Sequence, residues 1–239
     1  MLETKGDPQM IRKFVVTILA LGAALGLGLS IAPGAVAAHE SSTTRVLGSI
    51  DVGPGEHAGD VSTVNGGVHI GTDAVVGHAH TVNGGVHMDS RATAADLTTV
   101  NGGIKVEDGA HVTGDIHTVN GSLHIDKGAE VLGAAGNING SIHINGAHVG
   151  GSVTTTNGDV DLGPDARIDG NVVVKEDNSW HYGRERYPHV VVGPGTVVKG
   201  ELRFERKVVL YVSDRATIGT VHGAEVLKFS GDHPPVDRD

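Results

Sequence analysis

From residue 50 onward the apolar residues alternate with polar or small ones in short bursts, as in Ile104-Lys105-Val106, Ala110-His111-Val112 and Ile116-His117-Thr118. Alternation with a period of two is the mark of a strand with one buried face. The bursts are too short for helices, and Gly or Asn-Gly separates them. Three bursts complete one period. The following periods repeat them with Leu123, Ile125, Ala129, Val131 and Ala135, then Ile142, Ile144, Ala147, Val149 and Val153, then Val160, Leu162, Ala166, Ile168 and Val172.

The period shows most plainly at its corners. Thr63-Val64-Asn65-Gly66-Gly67 returns as Thr81-Val82-Asn83-Gly84-Gly85, Thr99-Val100-Asn101-Gly102-Gly103 and Thr118-Val119-Asn120-Gly121-Ser122, then more loosely around Asn139 and Asn157. The spacings between these Asn-Gly pairs are 18, 18, 19, 19 and 18 residues. The same residue type returns at the same phase after each full period, so like stacks on like, which hairpin-linked antiparallel strands would not give. The expected fold is all-β: a single-stranded parallel β-helix, or solenoid, of three-sided coils with 18–19 residues each. In that arrangement Asn65, Asn83, Asn101, Asn120, Asn139 and Asn157 form a turn ladder, side chain bonded to side chain up the column. The glycine beside each is expected to supply a positive φ. Strict alternation would turn Val64, Val82, Val100, Val119 and Ile138 outward. A local bulge bringing them inside is expected, the alternative being an exposed apolar stripe that marks an interface.

The pattern breaks after Val174. Residues 175–189 are polar and hold Trp180, Tyr182, Arg184, Arg186 and Tyr187, residue types enriched in recognition surfaces. This segment reads as a loop excursion from one corner, carrying either a binding surface or aromatics that only pack the loop down. Coils resume over 190–229, and Pro234-Pro235 in the tail 230–239 discourages further stacking.

At the other end, Arg12-Lys13 precedes an apolar run from Phe14 to Ala32 and then Ala35-Val36-Ala37, the layout of a secretory signal peptide over residues 1–37. An uncleaved anchor is the alternative, since the run approaches the ~20 residues a spanning helix needs. Segment 38–49 is then an N-terminal cap and 50–174 the main run of coils. Export places the chain in the periplasm, in the cell envelope or outside the cell. With no Cys there is neither a lipid-anchor site nor a thiolate metal site. The 202 residues left after cleavage carry 15 Lys and Arg against 26 Asp and Glu. An acidic chain is poorly matched to nucleic acid or to an anionic membrane, so neither is an expected partner.

Histidine supplies the candidate chemistry. His69, His87, His124 and His143 share the middle of the V-x-I burst, with Lys105 and Asp161 at that phase in other coils. Stacking at about 4.8 Å makes His69 and His87, and likewise His124 and His143, outward neighbours. Repulsion on protonation should then cost stability as the pH falls. His111, Glu130 and His148 form a second column, and His80 and His117 share a third phase. These four V-x-I histidines are the weak metal candidates, but a flat face converges poorly and no metal or other cofactor is expected. Asp159, Asp161, Asp165 and Asp169 could at most hold Ca²⁺ weakly. Hexapeptide acyltransferases share the coil period and a catalytic His, but many equivalent histidines and an export signal argue against that class. Polysaccharide lyases generally have longer coils and an aromatic-lined cleft. No catalytic residue is expected.

On its TVNGG-type corners and V-x-I strands, from about Ile50 to Val221, the chain resembles an exported bacterial adhesin family of β-strand repeats. More distantly it is similar to the bactofilins, polymer-forming cytoskeletal β-helices. The first resemblance implies a non-catalytic envelope protein, a structural scaffold or an adhesin-like surface. Its partners would be a second copy of itself, an envelope protein or a glycan. The second implies end-to-end filaments, although bactofilins are typically cytoplasmic or at the inner face of the membrane. A third expectation is a glycan- or protein-binding module that uses the Trp180 loop.

Overall fold

The computed structural model describes residues 41–177 and 187–235. The expected export signal lies outside these residues, as do Trp180, Tyr182, Arg184 and Arg186. Among the described residues there is no helix, and the strands form three parallel sheets that are the three sides of a solenoid. The first face has ten strands, from Thr43–Leu47 to Val221–His222, and includes the TVN segments. The second face also has ten, from Ile50–Val52 to Val226–Phe229, and includes the V-x-I segments. The third has seven two-residue strands, from Thr93–Ala94 to Thr217–Ile218, and single bridges continue it back to Val75 and His57.

Register follows the sequence period. Val61 pairs with Ala79, Thr63 with Thr81 and Asn65 with Asn83, and the same phases repeat in the next coils. Ile104, Val106, Ala110, Val112 and Ile116, and the residues at the same phases in the following coils through Val172, point inward as expected. Leu97, Ile104, Ile116, Leu123, Ile125, Ile142, Ile144, Leu162 and Ile168 are fully buried, with Ala and Val filling the corners of one continuous axial core. Burying such side chains at ~1.5–3 kcal/mol each, coil after coil, replaces the aromatic core this chain lacks. The strand Thr43–Leu47, inside the expected cap, pairs with Val61–Asn65 and is the terminal strand of its sheet among the described residues.

Two expectations about the corners are corrected. Of the glycines after the ladder asparagines only Gly66 (157°) and Gly140 (115°) have a positive φ, and Gly84, Gly102, Gly121 and Gly158 have none. They are there because the corners stack in contact: a Cβ on Gly84 would run into the carbonyl of Gly66, and one on Gly102 into that of Gly84. The left-handed position lies at the next corner, between the second and third faces. Gly55, Gly109, Gly128, Gly146 and Gly195 take it, and Asp73, Arg91 and Asp165 adopt it with φ near 60°.

The second correction concerns the valines. No extra residue enters the ladder, because Thr81 pairs with Thr99 and Asn83 with Asn101 without a bulge. The threonine turns inward and its hydroxyl donates to a corner carbonyl of the preceding coil: Thr81 to Gly66 O (2.8 Å), Thr99 to Gly84 O (2.8 Å) and Thr118 to Gly102 O (2.8 Å). Satisfying those buried carbonyls fixes the phase and sends the next residue outward. Val64 is 40% and Ile138 38% exposed, with Val82, Val100 and Val119 partly so. Val46, 67% exposed, extends the stripe at the N-terminal edge.

The excursion leaves the first face after Val172–Val174 and returns as His189–Val192 on the second. It therefore occupies the corner that holds Asn-Gly in earlier coils. Register resumes across it, with Val172 paired to Leu202 and Val160 to Val190. The last strand ends at Phe229, after which Arg215 holds Gly231 O and Asp232.

Candidate functional site

Three outward columns carry the polar chemistry. The asparagine ladder runs as the spacing requires: Asn83 Nδ2 donates to Asn65 Oδ1 (2.9 Å), Asn101 to Asn83 (2.9 Å), Asn120 to Asn101 (3.0 Å), Asn139 to Asn120 (2.8 Å) and Asn157 to Asn139 (3.1 Å). Each amide donates toward the N-terminal coil, so the acceptor of Asn157 remains for something beyond it. No asparagine follows at that phase in the next coil, and Arg206 donates from Nη1 to Asn157 Oδ1 (2.6 Å). The same nitrogen lies 3.7 Å from the buried carboxylate of Asp177, at the root of the excursion. On the other side of the root Lys207 sits over the ring of Tyr187, 4.6 Å from its centre. Of the expected loop-binding residues, Tyr187 alone is among the described ones.

Part of the second face forms a shallow groove lined by Gly67, Gly85 and Gly103 and by the V-x-I residues His69, His87, Lys105 and His124. Here the four expected histidines pair in register, His69 with His87 and His124 with His143. The two pairs differ in chemistry. His124 and His143 stack face to face, ring centres 4.8 Å apart and planes 11° from parallel. The pKa of His124 falls below the usual histidine value, first through burial and then through His143. His69 and His87 are tilted by 54° and are not a bare pair, because a carboxylate lies between them. Asp89 Oδ1 is 3.1 Å from His69 Nε2 and 3.2 Å from His87 Nε2, and Glu107 Oε1 is 3.1 Å from His87 Nε2. Like-charge repulsion, expected for both pairs, is therefore the second contribution at one of them and is bridged at the other. Asp89 and Glu107 were missed in the sequence reading, yet the signal was present as His87-Met88-Asp89 and Lys105-Val106-Glu107: the acid two residues on returns to the same outer face.

On the third face His111 and His148 flank Glu130, each Nδ1 3.2 Å from a different oxygen. His148 Nε2 also meets Asp169 (3.2 Å), which Lys199 (2.9 Å) and Arg167 (3.2 Å) hold as well. The Lys199 hydrogen bond above all, then His148 and Arg167, lowers the Asp169 pKa to about 2. The four aspartates considered for calcium do not come together. Asp161 faces out from the second face, Asp159 Oδ1 accepts the His189 N–H (2.9 Å), Asp165 is at a corner and Asp169 is in its ion pairs. Comparison of the chain with protein-family models, with curated proteins and with solved structures gave no match.

Proposed function

We propose that the chain is a non-catalytic, exported cell-envelope protein, a rigid solenoid acting as a structural scaffold with an adhesin-like outer surface. The observation that carries this reading is the outward stripe Val46, Val64, Val82, Val100, Val119 and Ile138. Six apolar residues, one per coil, lie in a line on the outside of the first face, the kind of patch that marks an interface. Their spacing of about 4.8 Å is set by the coils themselves. A second copy of the chain has the same spacing and can lie alongside in register, which makes it the natural occupant. The polar columns add support, since equivalent groups repeated along a face suit an extended contact better than a convergent reaction centre.

The double variant Val82→Asp, Val100→Asp tests it. Both residues are on the surface, so circular dichroism and thermal stability should stay near wild type, within roughly 0.5 kcal/mol per site. Self-association seen by analytical ultracentrifugation should be lost, and cell fractionation should place the unmodified protein in the envelope. A wild-type chain that is monomeric at all concentrations, or that fractionates with the cytoplasm, would sink the proposal. Filaments indifferent to the double variant would favour the bactofilin-like alternative.

A second reading, a glycan- or protein-binding module, is favoured by the anchoring of the excursion at both ends, Asp177 on Arg206 and Tyr187 under Lys207. Rigidly mounted loops commonly bind ligands. Replacing residues 178–186 with a short Gly-Ser linker leaves both anchors; only a module would lose its ligand, whereas a scaffold would keep its assembly.

A further inference from the structure

The histidine columns differ in whether their nitrogens converge. Among the described residues, one group of three offers ligand atoms all within 4.8 Å of one another: His69, His87 and Asp89. Two of its edges are 3.1 and 3.2 Å, each running from an imidazole Nε2 to the same carboxylate oxygen. Ligands about 2.0–2.1 Å from a tetrahedral ion are about 3.3 Å apart, so these edges already approximate those of a zinc coordination shell. We propose that His69, His87 and Asp89 form a binding site for a divalent ion of the zinc class, with water completing the shell.

The surroundings suit a cation. Binding through Nε2 requires the tautomer with hydrogen on Nδ1, and on His69 that nitrogen is 3.7 Å from Asp51 Oδ1, longer than a hydrogen bond but close enough for the carboxylate to favour that tautomer electrostatically. Asp51, Asp89 and Glu107 bring three negative charges against the single positive charge of Lys105. That ammonium is held one coil away by Glu107 Oε1 at 3.0 Å. Glu107 is thus engaged by Lys105 and balances it, leaving Asp89 as the carboxylate ligand. Imidazole with carboxylate selects zinc-class ions over Ca²⁺ and Mg²⁺, which prefer shells of oxygen.

The other columns provide internal controls. The rings of His124 and His143 stack nearly parallel and belong to no such converging group among the described residues. His111 and His148 address opposite oxygens of Glu130, and Asp169 beside them already has two cations. The proposed site also links two successive coils, His69 from one strand and His87 with Asp89 from the next, so an ion there holds them together.

The test titrates the metal-free, tag-free chain with Zn²⁺ by calorimetry and with Co²⁺ by visible absorption, alongside thermal unfolding. One saturable equivalent is expected, with a four-coordinate Co²⁺ band and a rise in Tm with metal concentration. His87→Gln should abolish all three responses, and Asp51→Asn should weaken Zn²⁺ binding about 10-fold. The paired change His124→Gln, His143→Gln should alter none of them, and Ca²⁺ or Mg²⁺ should give no signal. Should His87→Gln fail to give the wild-type circular dichroism, His69→Gln reads the same site. The assignment is overturned if no saturable equivalent appears, if binding survives both single histidine changes, or if the His124/His143 pair is needed instead.

Discussion

His117 lies on the outer side of the first face, between Thr98 and Gly136 in register, with its ring against Gly136, where a Cβ would come within 3.0 Å of Nδ1. Burial pushes its pKa below the ordinary histidine value, against an opposing pull from Asp115, and burial lowers His80 on the same column too. A histidine with a lowered folded pKa is proton-poor in the folded state. Its cost is therefore absent above the unfolded value of about 6.5 and grows as pH falls from there through the folded value. Urea unfolding at about pH 7.5 and about pH 5.5 should show the wild type losing stability over that interval and His117→Gln losing less. Identical losses would mean that burial of His117 has no energetic consequence. That His80 and His117 share one column, with Thr98 between them, was legible from phase alone. The pocket that Gly136 leaves for the ring was not, because it depends on which coil has a glycine in the adjoining position.

Among elements, the asparagine ladder shows how far periodicity reaches. All six rungs could be read from the spacing, since a fixed phase in a parallel stack leaves identical amides little choice of partner. Arg206 could not. It is 49 residues from Asn157, and the excursion between them conceals that the two share a corner. Nor could the outward course of the valines be decided, because the sequence does not reveal that the inward threonine is needed by a carbonyl one coil below. Arg206→Ala would leave the Asn157 acceptor without its cap and take the guanidinium away from the Asp177 carboxylate, both in partly or fully buried surroundings. Breaking a buried pair from one side costs about 3 kcal/mol, whereas Asn101→Ala removes neutral, exposed bonds worth about 1 kcal/mol each. The urea midpoint should therefore drop further for Arg206→Ala than for Asn101→Ala. Equal drops would show that the ladder does not depend on its closure at Arg206.

At the scale of the solenoid, every strand among the described residues runs across the long axis and the backbone hydrogen bonds between coils run along it, giving the mechanics of a wound cord. Pulled apart by its two ends, it should not rupture at once but unwind coil by coil, since each coil is fastened mainly to its neighbours. One regular coil releases 18 or 19 residues, roughly 60–65 Å of extended chain. The coil bearing the excursion repeats only after 30 residues, from Val172 to Leu202, and should pay out roughly 100 Å. Single-molecule force–extension traces should accordingly show a train of near-equal increments with one long step, and a single event releasing the whole rod would contradict this. The lengthened repeat thus becomes one long turn of the cord, let out only when that coil gives way.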